Sequence, residues 1–288
     1  MATILVTGSD GQLGMELRKT ALSYAGYQFI FTDISTLDVT NSANVIEVVN
    51  ANNPDWIINC AGFTNVDKAE GDSQSAFAIN AKGVANITAA IRGSACRLIH
   101  ISTDYVFDGS KNTPYTETDE AKPVTAYGKS KIAGEKEALT HPATVIIRTS
   151  WLYSEYGTNF MKTILHILSE GKEASVVFDQ VGTPTWAGGM ADAIMNLVSG
   201  VIRNKTPFAP GIYNYSDEGV CSWYDFAEAI ASETGNNGRV KPCLSDRYPQ
   251  IARRPSYSVL NKQKIKDTYN LSIQHWRDNL LTCLKQII

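Results

Sequence analysis

The chain has 288 residues, of which 43% are hydrophobic and 19% charged, with a formal net charge of -3. This is the balance of an ordinary globular protein with a sizeable core, and it gives no whole-chain attraction to nucleic acid or anionic membrane. Five scattered cysteines (Cys60, Cys96, Cys221, Cys243, Cys283) include no C-x-x-C pair, which argues against a disulfide framework or zinc knot and for reduced thiols in the cytoplasm.

The opening MATILVTGSDGQLG lacks a basic region followed by a long apolar one. No window approaches the roughly 20 apolar residues of a membrane span. The chain is expected to start directly with a strand, TILVT. A helix from about Gln12, the strand FIFT, a helix from about Ser42 and the strand DWIINC follow. Next come a long helix from about Ser73, the strand RLIHIS, a helix through TAYGKSKIAGEKEAL and the strand TVIIR. Near-continuous apolar strands separated by helices predict βαβ units, hence an α/β fold with a Rossmann-type doubly wound parallel sheet over residues 1–150. Beyond Trp151 the rhythm loosens into EASVVFDQVGTPTW, a helix from about Gly188, GIYNYS, a helix from about Ser222, and a stretch containing RRPSYSVL. Residues 151–288 are expected to form mainly a smaller substrate-binding lobe over the carboxyl ends of the strands, interleaved with the last elements of the sheet.

The first strand runs into Gly8, Gly11 and Gly14, which open the first helix. Glycines there permit a tight turn and a close backbone approach to a pyrophosphate at the helix N-terminus. The spacing is G-x-x-G-x-x-G, so the turn predicts a dinucleotide site of a variant type. Asp33 ends the second strand, where a carboxylate can accept ribose hydroxyls and disfavours a 2′-phosphate. Arg18 and Lys19 on the first helix can compensate, so both NADH and NADPH remain open.

Tyr127 and Lys131 lie four apart and share one helical face. A free tyrosine has a pKa of about 10, and a lysine within ~4–6 Å favours the phenolate; lowering it by about 3 would take roughly 4 kcal/mol. The preceding strand delivers Ser102 and Thr103 at its carboxyl end, where a hydroxyl can bond the same carbonyl oxygen that the tyrosine protonates. On the substrate side, a diphosphate needs cations or helix-terminal amides, and Arg253, Arg254 and the helix opening at Asn159 offer them. Trp151, after the fifth strand, suits either the core or an apolar platform.

Taken in order, several motifs make the whole chain resemble the extended short-chain dehydrogenase/reductase superfamily, and within it the reductases of nucleotide-linked 4-keto sugars. They are TGSDGQLG, LDVTN around Asp38, NCAGFTNVDKAE, NAKG at Asn80, STDYVFDG, YGKSK, RTSWLY at Trp151, DQVGTPT around Gln180 and RRPSYSVL. The resemblance implies that Thr103, Tyr127 and Lys131 are the catalytic hydroxyl, tyrosine and lysine, and that Asn80 holds a proton-relay water. It implies Gly11, Gln12 and Leu13 at the pyrophosphate turn, Asp33 and Asp38 against the adenosine, and Ala61, Gly62 and Thr64 along the cofactor. Trp151 is implied beside the sugar and base, with Asp104, Asn159, Gln180 and Arg254 as further substrate contacts. The implied reaction carries hydride from NADH or NADPH to the C4 ketone of dTDP-4-dehydro-L-rhamnose, in a monomer or weak homodimer.

Glu16 matches a glutamate that binds magnesium at a dimer interface in some members, but WAGGMAD after GTPT lacks a second one. The four histidines are not ligand-spaced, so no catalytic metal is expected. Two rivals stand beside the reductase. A nucleotide-sugar epimerase or dehydratase would return the hydride, although Asp104 is followed by Tyr105, not by the glutamate of a dehydratase. A regulatory subunit resembling the β subunit of methionine adenosyltransferase would only tolerate the Thr103, Tyr127 and Lys131 set.

Overall fold

The structure, a computed structural model, describes residues 1–235, 238–247 and 249–287. Strand β1 (Ala2–Thr7) passes through the glycine turn into α1 (Gln12–Ala21) and β2 (Tyr27–Phe31). Then come α2 (Ser42–Asn52), β3 (Trp56–Asn59), α3 (Val66–Gly71), α4 (Ser73–Phe77) and α5 (Gly83–Ala90). β4 (Arg97–Thr103), α6 (Ala126–Ala138) and β5 (Thr144–Thr149) complete the first half. The second half holds β6 (Leu152–Tyr153), α7 (Phe160–Ser169), β7 (Glu173–Val177), β8 (Val181–Gly182), β9 (Thr185–Trp186) and α8 (Ala187–Ile202). It ends with β10 (Gly211–Asn214), β11 (Cys221–Ser222), α9 (Trp223–Thr234), β12 (Arg239–Cys243), α10 (Gln263–Tyr269) and α11 (Trp276–Leu284).

Six parallel strands form the main sheet in the order β10-β5-β4-β3-β1-β2. Successive strand residues point to opposite faces, which is why the apolar runs are unbroken. Ile4, Val6, Ile58, Ile99 and Val145 pack with residues of α1 and α8 in one core. Leu5, Ile57, Leu98 and Ile146 pack with residues of α2, α5 and α6 in the other. Burying each such side chain contributes about 1.5–3 kcal/mol. The late strand β10 joins this sheet beside β5.

Chain order reverses between β1 and β3, so their carboxyl ends open a crevice. Gly8 lies there with φ +63, and a Cβ would stand 2.6 Å from the Ala61 nitrogen. A side chain would therefore close the crevice as well as strain the turn.

The long helix expected from Ser73 is divided by a π-helical turn over Ala78–Lys82. At that turn the Asn80 carbonyl meets α6 at Gly134, where a Cβ would overlap it. The Asn80 side chain is also tied to the backbone of Phe63, so packing explains the locally widened coil.

A third core joins α7, α9, α11 and β7 through Met161, Ile164, Ala174, Phe226, Ile230 and Leu280. β7 pairs in parallel with β12. Among the described residues no helix is long and apolar enough to cross a membrane.

Candidate active site

A cavity of about 510 Å³ runs along the carboxyl ends of the strands. Gly8, Gly11, Gln12, Leu13 and Gly14 line it from the first turn, and Ala61, Gly62 and Thr64 line it from the loop after β3. Thr103, Asp104, Tyr127 and Lys131 line its middle, and Trp151 and Asn159 its far wall. Most of the residues read from the sequence thus share one space.

The cofactor end has the chemistry a dinucleotide needs. Gly11 caps α1 without a side-chain hydrogen bond, and the first turn holds no acidic residue. Free amides and the positive end of the helix therefore face a cavity lined by Gly11, Gln12 and Leu13, where a diphosphate would fit. Asp33 lies behind this turn, not on the cavity wall. Its Oδ2 accepts from the Asp10 nitrogen at 2.8 Å and its Oδ1 from the Ile34 nitrogen at 2.7 Å. Arg18 donates to Ser9 Oγ at 2.8 Å and pairs with Asp10, so a cation and a carboxylate border the same loop. Asp38 also lies off the cavity wall, accepting from the Thr40 nitrogen and hydroxyl.

Thr125 caps α6 by accepting from the Gly128 nitrogen at 3.0 Å. That cap begins the helix so that Tyr127, Lys131 and Glu135 follow one another down its buried face. Tyr127 and Thr103 line the cavity together, and the Tyr127 ring meets Tyr105 edge-on at 5.6 Å. Thr103 Oγ1 donates to Asp104 Oδ1 at 3.0 Å.

The lowered tyrosine pKa expected from the Tyr127 and Lys131 spacing is not what this environment produces. Burial dominates and pushes the Tyr127 phenol up, Asp104 and Tyr105 add to that, and Thr103 opposes it. Lys131 instead donates to the Ile101 carbonyl at 2.6 Å, and burial brings its own pKa down to about 8. The site therefore holds a phenol that keeps its proton, the state required of a proton donor.

Asn80 is fully buried and away from the cavity wall. Its Oδ1 accepts from the Phe63 nitrogen, while its Nδ2 donates to the Phe63 carbonyl and to Ser130 Oγ. These bonds use the amide to lock the loop after β3 against α6. Asn159 caps α7 through the Lys162 nitrogen and donates to Gln12 Oε1 at 2.9 Å, joining the lobe to the glycine turn.

Gln180 and Arg254 line a neighbouring cleft of about 880 Å³. Arg254 pairs with Asp67 at 2.6 Å and also touches Tyr105, whose ring borders the first cavity. Gln180 donates to Ser245 Oγ at 2.8 Å.

Trp151 adopts a positive φ of 48 and stacks on Trp223 with centroids 3.6 Å apart. Phe160 completes this aromatic wall against Trp223. Trp223 is a site residue that sequence reading missed. Its local signal, a Ser222 cap before an apolar helix, says only that a helix begins there.

Asp104 is 2% exposed, and burial raises its pKa from 3.8 to about 6 against the opposing bonds from Ser258 and Thr103. Below the unfolded value the carboxyl is protonated in both states, and stability is then lost as pH rises through the folded value. The difference corresponds to up to about 3 kcal/mol at pH 7. Asp104→Asn is therefore expected to raise the Tm of the protein at pH 7 and leave it nearly unchanged near pH 3.5, as thermal melts across this range would show.

Glu16 is buried, accepting from Ser154 Oγ at 3.0 Å. Burial and the neighbouring Glu155 hold its carboxyl well above the usual range. Among the described residues no group of three or more His, Cys, Asp or Glu side chains is placed to hold a metal ion.

A family model described as "RmlD substrate binding domain" matches residues 1–288. A dTDP-4-dehydrorhamnose reductase of Aggregatibacter actinomycetemcomitans is 39% identical, over 96% of this chain and 96% of its own. A solved dTDP-4-dehydrorhamnose reductase of Clostridium acetobutylicum superposes with a TM-score of 0.92 at 39% identity, over 99% of both chains. Another from Bacillus anthracis, in complex with NADP, gives 0.93 at 35% identity over 99% of this chain and 100% of its own.

Proposed function

The chain belongs to the RmlD substrate binding domain family, and from that premise we propose that it reduces the C4 ketone of dTDP-4-dehydro-L-rhamnose to dTDP-L-rhamnose. It is an NAD(P)H-dependent oxidoreductase of the kind its relatives are named for. The observation that carries the reading is the meeting of Thr103, Tyr127 and Lys131 beside the glycine turn in one cavity.

Bound NADH or NADPH supplies the hydride. Tyr127, kept protonated by burial, gives its proton to the C4 oxygen, while the Thr103 hydroxyl turns from Asp104 Oδ1 to donate a hydrogen bond to the same atom. Lys131 holds the nicotinamide ribose. The uncapped start of α1 holds the cofactor diphosphate, and Gly62 and Thr64 line its path. Asp33, through the Asp10 amide, sets the shape of the turn. Asp38 supports the adenosine side through its loop.

Trp151 and Trp223 form the apolar wall for the deoxysugar and thymine, with Arg254 and Gln180 on the side of the second cleft. Trp223→Ala is expected to raise the KM for the dTDP sugar about tenfold, the worth of one aromatic contact, with kcat largely kept. Steady-state kinetics with varied sugar at saturating cofactor measure this split. Free thiols at all five cysteines support a cytoplasmic location.

The test of the function is loss of reduced-nicotinamide absorbance with dTDP-4-dehydro-L-rhamnose, comparing NADH with NADPH. Turnover yielding dTDP-L-rhamnose is expected. Cofactor binding without turnover would refute this substrate, and retention of tightly bound NAD with hydride return would favour the epimerase.

A further inference from the structure

Three consecutive residues at the end of β4 each face a different side chain on the buried face of α6, and two of them are hydrogen-bonded to it. The Ile101 carbonyl accepts from Lys131, Ser102 Oγ donates to Glu135 Oε1 at 2.5 Å, and Thr103 contacts Tyr127. Glu135 is 1% exposed and Arg148 3%. Glu135 Oε1 accepts from Arg148 Nε at 2.9 Å, and Oε2 from Nη2 at 2.7 Å. Arg148 belongs to β5 and lies in register with Ser102, and its guanidinium covers the Phe107 ring at 5.2 Å. One carboxylate thus connects the catalytic helix to two strands.

We infer that the Glu135–Arg148 pair is a positioning device for proton transfer, in which Glu135 ties α6, and with it Tyr127 and Lys131, to the ends of β4 and β5. The inference rests on the proposed roles of Tyr127 and Lys131. Stability alone is a poor explanation of the pair. Taking two charges out of water is costly, and well-packed apolar residues of similar volume often serve a core as well or better. Arg148 Nη1, moreover, is buried without a partner.

The electrostatics give the carboxylate a task. Lys131 shares its cavity with Tyr127 and feels Glu135 from its own helix, Cys60 after β3 and His100 in β4, with Arg148 of β5 behind Glu135. Burial depresses Lys131, while Glu135 and then Cys60 work against that depression. His100 is fully buried and held neutral by burial and by Lys131 itself. Among these neighbours Glu135 is the carboxylate that offsets the burial of the lysine.

The test is the pH dependence of kcat for wild type, Glu135→Gln, Glu135→Asp and Arg148→Met. Glu135→Gln leaves Arg148 and Lys131 as unbalanced like charges, so the alkaline limb is expected to move down by about one pH unit. Arg148→Met frees the carboxylate to act on Lys131 alone, so the limb is expected to move up. Glu135→Asp is expected to return it toward wild type. Opposite displacements of this kind are not produced by a merely structural pair. An active wild type whose limb stays in place in every variant, with activity following Tm, would overturn the inference alone. A wild type without turnover on the dTDP sugar would overturn the reaction and the inference together. Should Glu135→Gln fail to fold, Arg148→Met decides by itself: an upward limb supports the device, and an unmoved one overturns it.

Discussion

Tyr127→Phe is expected to lower kcat by about 10²–10⁴-fold, the usual worth of a positioned proton donor. The change deletes one oxygen and keeps the ring, so the edge-on packing with Tyr105 and the fold of α6 should survive. What disappears is the proton that burial retains on the phenol. Thr103 is a poor substitute, because an aliphatic alcohol is a far weaker acid than a phenol. Reduced-nicotinamide consumption on the dTDP sugar measures the loss, fluorescence titration with NADPH checks that cofactor binding is kept, and a melt checks the fold. A variant retaining most of its turnover would remove Tyr127 from the mechanism.

Gly134→Ala is expected to destabilise the protein by about 3 kcal/mol and to cut activity more than that loss alone explains. A Cβ at this position would overlap the Asn80 carbonyl oxygen, with Val84 also close. The obstacle is backbone, so no rotamer change relieves it. Either the π-helical turn at Ala78–Lys82 or α6 must shift, and α6 carries Tyr127 and Lys131. A chemical denaturation curve gives the stability change, and kcat at a temperature where the variant is fully folded isolates the effect of displacing Tyr127 and Lys131. Unchanged stability and kcat would mean that the two elements are not held at this distance.

Much of the architecture was legible because it is written in short-range pattern. Apolar runs such as WIIN and TVIIR announce strands covered on both faces, and Gly8, Gly11 and Gly14 announce a turn that needs backbone freedom and room. The Tyr127 and Lys131 spacing announces a shared helical face. Asn80 shows where such reading stops. The motif implied that it holds a relay water, and what the sequence did not show is that its side-chain amide is bonded to Phe63 and Ser130.

The sequence by itself determined the alternation of strands and helices, the glycine turn, the shared helical face of Tyr127 and Lys131 and, through the order of its motifs, the superfamily. These follow from local geometry, which depends on neighbours a few residues away. Only the tertiary structure decided that Trp223 stacks on Trp151, that Arg254 meets Asp67, and that Glu135 joins Ser102 and Arg148. It also decided the proton affinity of Tyr127, reversing the expected direction. Such properties depend on distant segments meeting and on how much water they exclude, and for this buried phenol desolvation set the direction.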